Sequence, residues 1–201
     1  MNKFYSNRYS IIFTLILIPV FSFLYNCSSS TGPSKVKEGL TAKEAEQLAS
    51  SRALEILGNP SLISIETPDS GGGLNREGRL AEGEKGKWWF GYHELGSIEG
   101  LIIETEGILL FSAIVSLDNL RGLQEILPDY IDSSEAIIKA EASGGKDLSE
   151  VETIIAVLVG EPAWPKTGPN HVAWVITYEL KNNMNEIFYI DAYSGVFLGK
   201  G

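Results

Sequence analysis

The sequence predicts an α+β fold made of two repeated units, each a single helix packed on a small antiparallel sheet. Three observations predict it: a capped amphipathic segment at residues 40–58, a similar start at residues 131–136, and β-rich runs with turn residues after each. Helix, strand, loop, strand and hairpin follow one another in the same order twice. This order is typical of two copies of one structural unit.

The first unit, residues 38–117, opens with a helix at 40–58. Thr41 and Glu44 have the spacing of a capping box, in which each residue satisfies a backbone N–H at the start of the helix. Gly58 ends the periodic pattern and predicts the end of the helix.

The rest of this unit reads as strands around one long loop. Residues 67–87 hold many glycines and charges without an apolar period, which predicts a mobile loop. The runs that alternate or are rich in β-forming residues predict strands at 62–66, 87–95, 98–105 and 108–115.

The second unit, residues 130–201, follows a predicted connecting helix at 118–129. Asp132 stands where an N-cap is expected, and Trp174 matches Trp89 at an offset of 85 residues. Strands are predicted at 151–159 and 171–180, with a terminal hairpin after them.

Strand alternation assigns a core face to each unit. In the second unit, Trp174, Ile176, Tyr178 and Leu180 share one face, which is continuous and apolar and predicts packing against the helix. The offset of 85 then predicts that the equivalent core face of the first unit consists of Trp89, Gly91, His93 and Leu95.

The terminal hairpin carries a resemblance to a known family. Residues 188–196 read Phe-Tyr-Ile-Asp-Ala-Tyr-Ser-Gly-Val, with Asp191 placed to accept from turn amides and Gly195 placed to take a positive φ. This ending resembles the end of PepSY domains, which are small α+β modules of secreted and membrane-attached bacterial proteins. The resemblance covers residues 131–201 well and residues 40–115 poorly. It implies a cystatin-like helix on an antiparallel sheet and a role in restraining a partner such as a peptidase, with no catalytic residues to carry over.

The amino terminus predicts export and lipidation. Lys3 and Arg8 precede the apolar run at 11–25, which is too short to span a bilayer and fits a signal peptide over residues 1–26. Leu24-Tyr25-Asn26-Cys27 resembles a bacterial lipobox, with bulkier residues than usual at its two middle positions. That resemblance implies acylation, with palmitate among the chains, at Cys27.

A polar tether follows this cysteine at residues 27–37. The alternative is an ordinary signal peptide with a chance cysteine, but Cys27 is the only cysteine in the chain and would otherwise be an unpaired thiol outside the cell. Ser28 is not the aspartate that retains lipoproteins in the inner membrane of some bacteria. We therefore expect a lipid-anchored protein of the cell envelope at the outer membrane.

The charge of the chain limits its partners. Without residues 1–26, which hold two of the 16 basic residues and none of the 26 acidic ones, the net charge is −12. Such an acidic protein lacks the basic patch that nucleic acid requires, so we expect no nucleic-acid partner and a membrane contact only through the acyl anchor.

No motif predicts catalysis, a metal site or a cofactor. The two histidines, His93 and His171, have no ligand spacing, and a G-x-S-x-G nucleophile motif is missing from the sequence. Gly71-Gly72-Gly73 does not open a helix and so does not predict a phosphate site.

The aromatic residues are the candidates for partner binding. Trp88, Phe90 and Tyr92 fall on the strand face opposite the predicted core, and Trp164 lies between Pro162 and Pro165 in a loop. An exposed row of this kind could seat a protein or peptide partner. The alternative, which interior packing of tryptophan generally favours, is that the row is buried between the two units.

The sequence thus predicts a non-enzymatic, lipid-anchored envelope protein that binds or restrains a protein or peptide partner. Two alternatives stay open: a small-ligand binding protein with a pocket between helix and sheet, and a hydrolase with an unrecognised site. A ligand binder should gain thermal stability with a small molecule, and a hydrolase should turn over a generic ester or peptide.

Overall fold

The computed structural model of the chain describes residues 39–68, 73–81, 86–106, 108–116, 124–160 and 171–201. These residues belong to one compact unit. Its elements in chain order are α1 (Ala42–Leu57), β1 (Ser61–Glu66), β2 (Trp88–His93), β3 (Glu99–Thr105), β4 (Leu109–Ser116), α2 (Ser133–Ala142), a 3-10 turn (Gly145–Asp147), β5 (Val151–Gly160), β6 (Val172–Leu180), β7 (Asn185–Asp191) and β8 (Phe197–Lys200).

All eight strands form one antiparallel sheet in the order β4-β3-β2-β1-β5-β6-β7-β8. The prediction of two repeated units, each with its own small sheet, is therefore wrong. The reason is the pairing of β1 with β5, in which Ile65 lies opposite Leu158 and Glu66 opposite Val157. If the sheets were separate, β1 and β5 would each be an edge strand with unpaired backbone N–H and C=O groups. Pairing the two strands satisfies these groups.

The two helices lie against the strands on either side of this central pair. Helix α1 packs against β2 and β3, and α2 packs against β6 and β7. The buried face of α1 is a row of alanines, whose small side chains let the helix backbone approach the large side chains of the sheet closely: Ala42, Ala45, Ala49 and Ala53.

The predicted start of α1 is confirmed. The Thr41 side chain accepts from the Glu44 N–H at 3.3 Å, and the Glu44 carboxylate accepts from the Thr41 N–H at 2.9 Å. The hydrogen bond from the Thr41 backbone, with help from Arg79, holds the pKa of Glu44 below its usual value. The helix ends at Gly58, whose φ of 80° is the conformation for which glycine is favoured.

The amino-terminal ends of the two helices are joined by side chains of the second. Asp132 caps α2, as predicted, by accepting from the Ser133 N–H at 2.7 Å, and the same carboxylate oxygen accepts from the Lys43 N–H of α1 at 3.0 Å. The Ser133 hydroxyl accepts from the Ala42 N–H at 3.0 Å and donates to the Gly78 carbonyl at 2.7 Å. Two helix termini and one loop are thus fixed at a single buried point, which satisfies N–H groups that helix starts otherwise leave open.

The predicted mobile loop at 67–87 is wrong for its described central part, 73–81. This part forms a turn closed by a bridge between Leu74 and Leu80, and both leucines are buried. Arg76 at its tip contacts both Glu141 oxygens, at 2.8 and 2.9 Å, so the turn is attached to α2.

The predicted connecting helix at 118–129 lies partly outside the described residues. Its described part, 124–129, is not helical. Instead, the Ile126 N–H donates to the Leu62 carbonyl at 2.7 Å, and the Leu127 N–H donates to the Tyr193 hydroxyl at 3.1 Å.

The terminal hairpin forms as predicted. Asp191 Oδ1 accepts from the backbone N–H groups of Tyr193 and Ser194, at 3.2 and 2.8 Å, and from the Ser194 hydroxyl at 2.7 Å. Gly195 has a φ of 68°. Partial burial alone would raise the pKa of Asp191, but the hydrogen bonds from Ser194 and Tyr193 outweigh it and lower the pKa. The carboxylate that organises the turn therefore stays ionised in mildly acidic conditions.

Candidate partner-binding site

Trp88, Phe90 and Tyr92, the predicted partner-binding row, lie in the core. Their side chains are 0%, 0% and 2% exposed, so they do not form a surface that a partner could contact. The row packs beneath α1 within the core rather than on the outside of the sheet. Their assignment as partner-binding residues is wrong for this reason.

The predicted core face of β2, with Trp89, Gly91, His93 and Leu95, is wrong by one residue. Trp88, Phe90 and Tyr92 face the core instead. The Trp88 indole N–H donates to the Leu40 carbonyl just before α1, as the Trp174 indole N–H donates to the Ile131 carbonyl just before α2. Trp174 therefore corresponds to Trp88, not to Trp89. A displacement by one residue exchanges the two faces of a strand, and Trp89 lies on the face away from the helices, where its indole N–H donates to Glu104.

The predicted core face of β6 is confirmed for Trp174, Ile176 and Tyr178, which are all buried, whereas Leu180 at the end of the strand is only half-buried. Trp174 stacks edge-on against Trp88 with ring centroids 6.5 Å apart. Burial raises the pKa of Tyr178, whose hydroxyl donates to Glu141 at 2.9 Å.

Two further predicted residues, Cys27 and Trp164, lie outside the described residues, as do the predicted signal peptide and tether. Within the described ranges, no helix is long and apolar enough to cross a membrane.

The two histidines lie in different surroundings. His171 Nδ1 is 3.7 Å from Asp191 Oδ2 at the terminal turn. His93 ends β2, and its buried Nδ1 has no hydrogen-bond partner in the part of the chain that the structure describes. Over the same residues, no three His, Cys, Asp or Glu side chains are grouped as metal ligands.

Exposed apolar side chains concentrate along β4, at one edge of the sheet. Of the fourteen large exposed hydrophobic residues among those described, seven lie between positions 95 and 114, which makes this the main apolar surface of the described chain. The part that follows β4 and its two ends is named the edge patch and consists of Ile98, Ile108, Leu109, Leu110, Phe111 and Ile114.

The edge patch is exposed on both faces of the sheet. Ile114 lies opposite Leu101 of β3 in register; Leu101 is 0% exposed, whereas Ile114 is 58% exposed because α1 covers β3 and not β4. Phe111 projects from the other face, opposite Glu104, and is 55% exposed. Large apolar side chains left in water on both faces of an edge strand are unfavourable for a protein that acts alone.

The two edges of the sheet differ in how they are protected. The β8 edge is four residues long and contains Gly199 and Lys200, and the Lys200 ammonium lies 3.6 Å from Glu186. The β4 edge is eight residues long and contains no charge, glycine or proline; its one protective feature is a bulge at Leu110. Short strands, charges and bulges are the usual devices that prevent an edge from pairing with another chain, so β4 is the edge that is open to a partner.

An exposed carboxylate stands beside each end of β4. Glu99 lies opposite Ser116 at one end, and Glu106 lies at the other end, where its N–H donates to the Ile108 carbonyl. A third carboxylate, Glu104, is instead held by the Lys87 ammonium at 2.5 Å and the Trp89 indole.

The sequence marks this site by an uncharged run of residues, but the alternation of side chains does not show that the run forms an exposed edge strand. The run Ile-Leu-Leu-Phe-Ser-Ala-Ile-Val at 108–115 has no charge and almost no alternation, a pattern typical of strands buried on both faces. At the exposed edge, this run leaves in water side chains of a kind that strands usually bury.

Because β2 is buried and β4 is exposed, replacing a phenylalanine by alanine should affect the free energy of unfolding very differently on the two strands. Phe90→Ala removes a ring from the core and should lower the free energy of unfolding by about 3 to 5 kcal/mol. Phe111→Ala is the matched control, because it removes an exposed ring, and should lower it by about 1 kcal/mol or less. Urea melts of both variants beside the parent protein measure the difference; equal losses would contradict the assignment of faces.

No protein-family model, no curated protein and no solved structure matches the chain, so no comparison assigns a role to this site. The PepSY resemblance of the terminal hairpin therefore stays a prediction based on its own residues. The edge patch is identified from its geometry and exposure.

Proposed function

We propose that the protein is a lipid-anchored component of the bacterial cell envelope that binds a protein or peptide partner, without catalysis, through the edge patch. The observation that carries the proposal is the long, uncharged and exposed β4 strand in a chain that is otherwise strongly acidic. Burying its large apolar side chains against a partner is favourable by roughly 25 cal/mol for each Å² removed from water.

The sequence of the amino terminus supports the anchored location. A basic and then apolar segment precedes Cys27, and residues 27–37 supply a polar tether between an acylated cysteine and the folded residues. The proposal places the anchor in the outer membrane, because Ser28 rather than aspartate follows the cysteine. The PepSY-like ending supports a role in holding or restraining a partner.

The anchor is tested by Cys27→Ala. Without the thiol, the chain has no acylation site, and several acyl chains at about 0.8 kcal/mol for each buried methylene are lost. We expect the variant to leave the membrane fraction or to remain unprocessed, as measured by fractionation and intact mass. Cys27→Ala protein of mature size that still sediments with membranes would refute the anchor.

Partner binding is tested by photo-crosslinking in living cells of the bacterium that carries the gene. A benzophenone amino acid replaces Phe111 in the edge patch, and in a control variant it replaces Met184, which is similarly exposed in the turn before β7. We expect irradiation to produce one defined adduct from position 111 and not from position 184. Mass spectrometry of the adduct identifies the partner and the segment in contact.

Two results would argue against this function. One is an absence of any adduct at position 111, and the other is the same set of adducts from both positions, since that pattern reflects collisions rather than a site.

A further inference from the structure

The edge patch surrounds a strand whose outer backbone edge has no partner strand, because β4 is the first strand of the sheet in the described chain. Resting on the proposed function, we propose that β4 binds an extended segment of the partner as a ninth strand, and that this segment has an apolar centre with a lysine or arginine at each end. The added strand would take up main-chain hydrogen bonds that β4 cannot make within the sheet.

The length of the regular part of β4 sets the length of this segment. The bulge at Leu110 interrupts the ladder, and residues 111–116 pair with β3 without interruption. At about 3.4 Å per residue, this stretch is roughly 20 Å long, which accommodates about six residues of the partner.

The faces of β4 determine which side chains the segment presents. On the helix side, alternate residues of the partner would lie beside Ser112 and Ile114; on the other side they would lie beside Phe111, Ala113 and Val115. Both surfaces are apolar or neutral, and directly opposed side chains of neighbouring strands are about 4.5 to 5.5 Å apart at Cβ. The centre of the segment therefore carries no charge.

The ends of β4 determine the charge of the partner. Glu99 and Glu106 are exposed on either side of the uncharged run, whereas the nearby lysine, Lys87, is engaged by Glu104. The site is therefore acidic at both ends and apolar between them. A complementary ligand carries a cation at each end, beside a carboxylate, and has an apolar centre.

The same charges disfavour a second copy of this chain as the occupant. Two β4 strands that pair antiparallel place the Glu99 end of each beside the Glu106 end of the other, so carboxylates meet at both ends of the contact. Each copy without its signal segment also carries a net charge of −12. Like charges brought together in this way weaken pairing, whereas a basic segment removes the repulsion.

The test uses the purified lipidated protein in detergent micelles and three labelled peptides. The first has six alternating valine and threonine residues with a lysine at each end. The second has glutamate at each end, and the third is the lysine peptide with N-methyl groups on its four central residues, which removes N–H donors from both of its edges. Fluorescence anisotropy measures the dissociation constants at fixed ionic strength.

We expect saturable binding of the lysine peptide and at least tenfold weaker binding of the glutamate and N-methylated peptides. Exposed ion pairs contribute modestly, so Glu99→Lys with Glu106→Lys should weaken binding of the lysine peptide roughly three- to tenfold and strengthen binding of the glutamate peptide. Glu99→Gln with Glu106→Gln should weaken binding of the lysine peptide by a smaller factor. This variant replaces the charge-reversed one in the test if the latter does not fold.

The matched control is Glu77→Lys with Glu152→Lys, which changes the net charge equally at exposed positions outside the edge patch. It should leave binding of the lysine peptide within about twofold of the parent value, because screening limits the reach of exposed charges to about 10 Å. An equal loss in the control would overturn the charge argument, since binding would then follow net charge alone.

Three other results separate the possibilities. Unchanged binding of the N-methylated peptide would overturn strand addition. A dimer in sedimentation that Ile114→Lys dissociates would overturn the basic partner in favour of a second copy. If the position 111 adduct forms in cells but the lysine peptide does not bind, this inference fails while the proposed function stands; if the adduct is also absent, both fail.

Discussion

The pairing of β1 with β5 is the interaction on which the rest of the structure depends. Only three residue pairs form it, but Thr67 extends it: its N–H donates to the Ala156 carbonyl and its hydroxyl accepts from the Ala156 N–H, both at 3.0 Å. Because these strands meet, the sheet formed by the described residues has two edges, β4 and β8, at opposite ends. The open edge is therefore as far from the centre of the fold as the sheet allows.

The core explains why the aromatic residues do not act as a binding surface. Trp88 and Trp174 meet near the centre, and Tyr130 packs against Trp174 with centroids 6.4 Å apart. Burial raises the pKa of the Tyr130 hydroxyl, which donates to Glu46 at 2.7 Å. Large rings with satisfied polar atoms at this position stabilise the packing of the sheet beneath both helices and are not accessible to a partner.

The sequence predicted the parts of the structure that depend on neighbouring residues. The capping box of Thr41 and Glu44, the Asp132 cap and the turn from Asp191 to Gly195 all follow from local hydrogen bonds, and all are present. Most strands were also predicted correctly where apolar and polar residues alternate or where turn residues flank the strand.

The errors came from contacts between residues far apart in the chain. No local pattern reports that Ile65 will pair with Leu158, and so the single sheet was missed. On β2, tryptophans at both 88 and 89 made the two faces look alike, and an error of one residue exchanged core and surface. The uncharged run of β4 was visible, but its position at an edge follows only from the order of the strands.

Hydrogen exchange of the backbone amides tests most directly the claim that β4 is an open edge completed by another chain. In the free protein, amides of residues 111–116 that point away from β3 should exchange much faster than those of β1 and β5 at the centre of the sheet. Saturation with the lysine-flanked peptide should slow these β4 amides at least tenfold and leave β8 unchanged. If β4 is already protected in the free protein, or if bound peptide leaves its exchange unaltered, the account of β4 as the binding edge is contradicted.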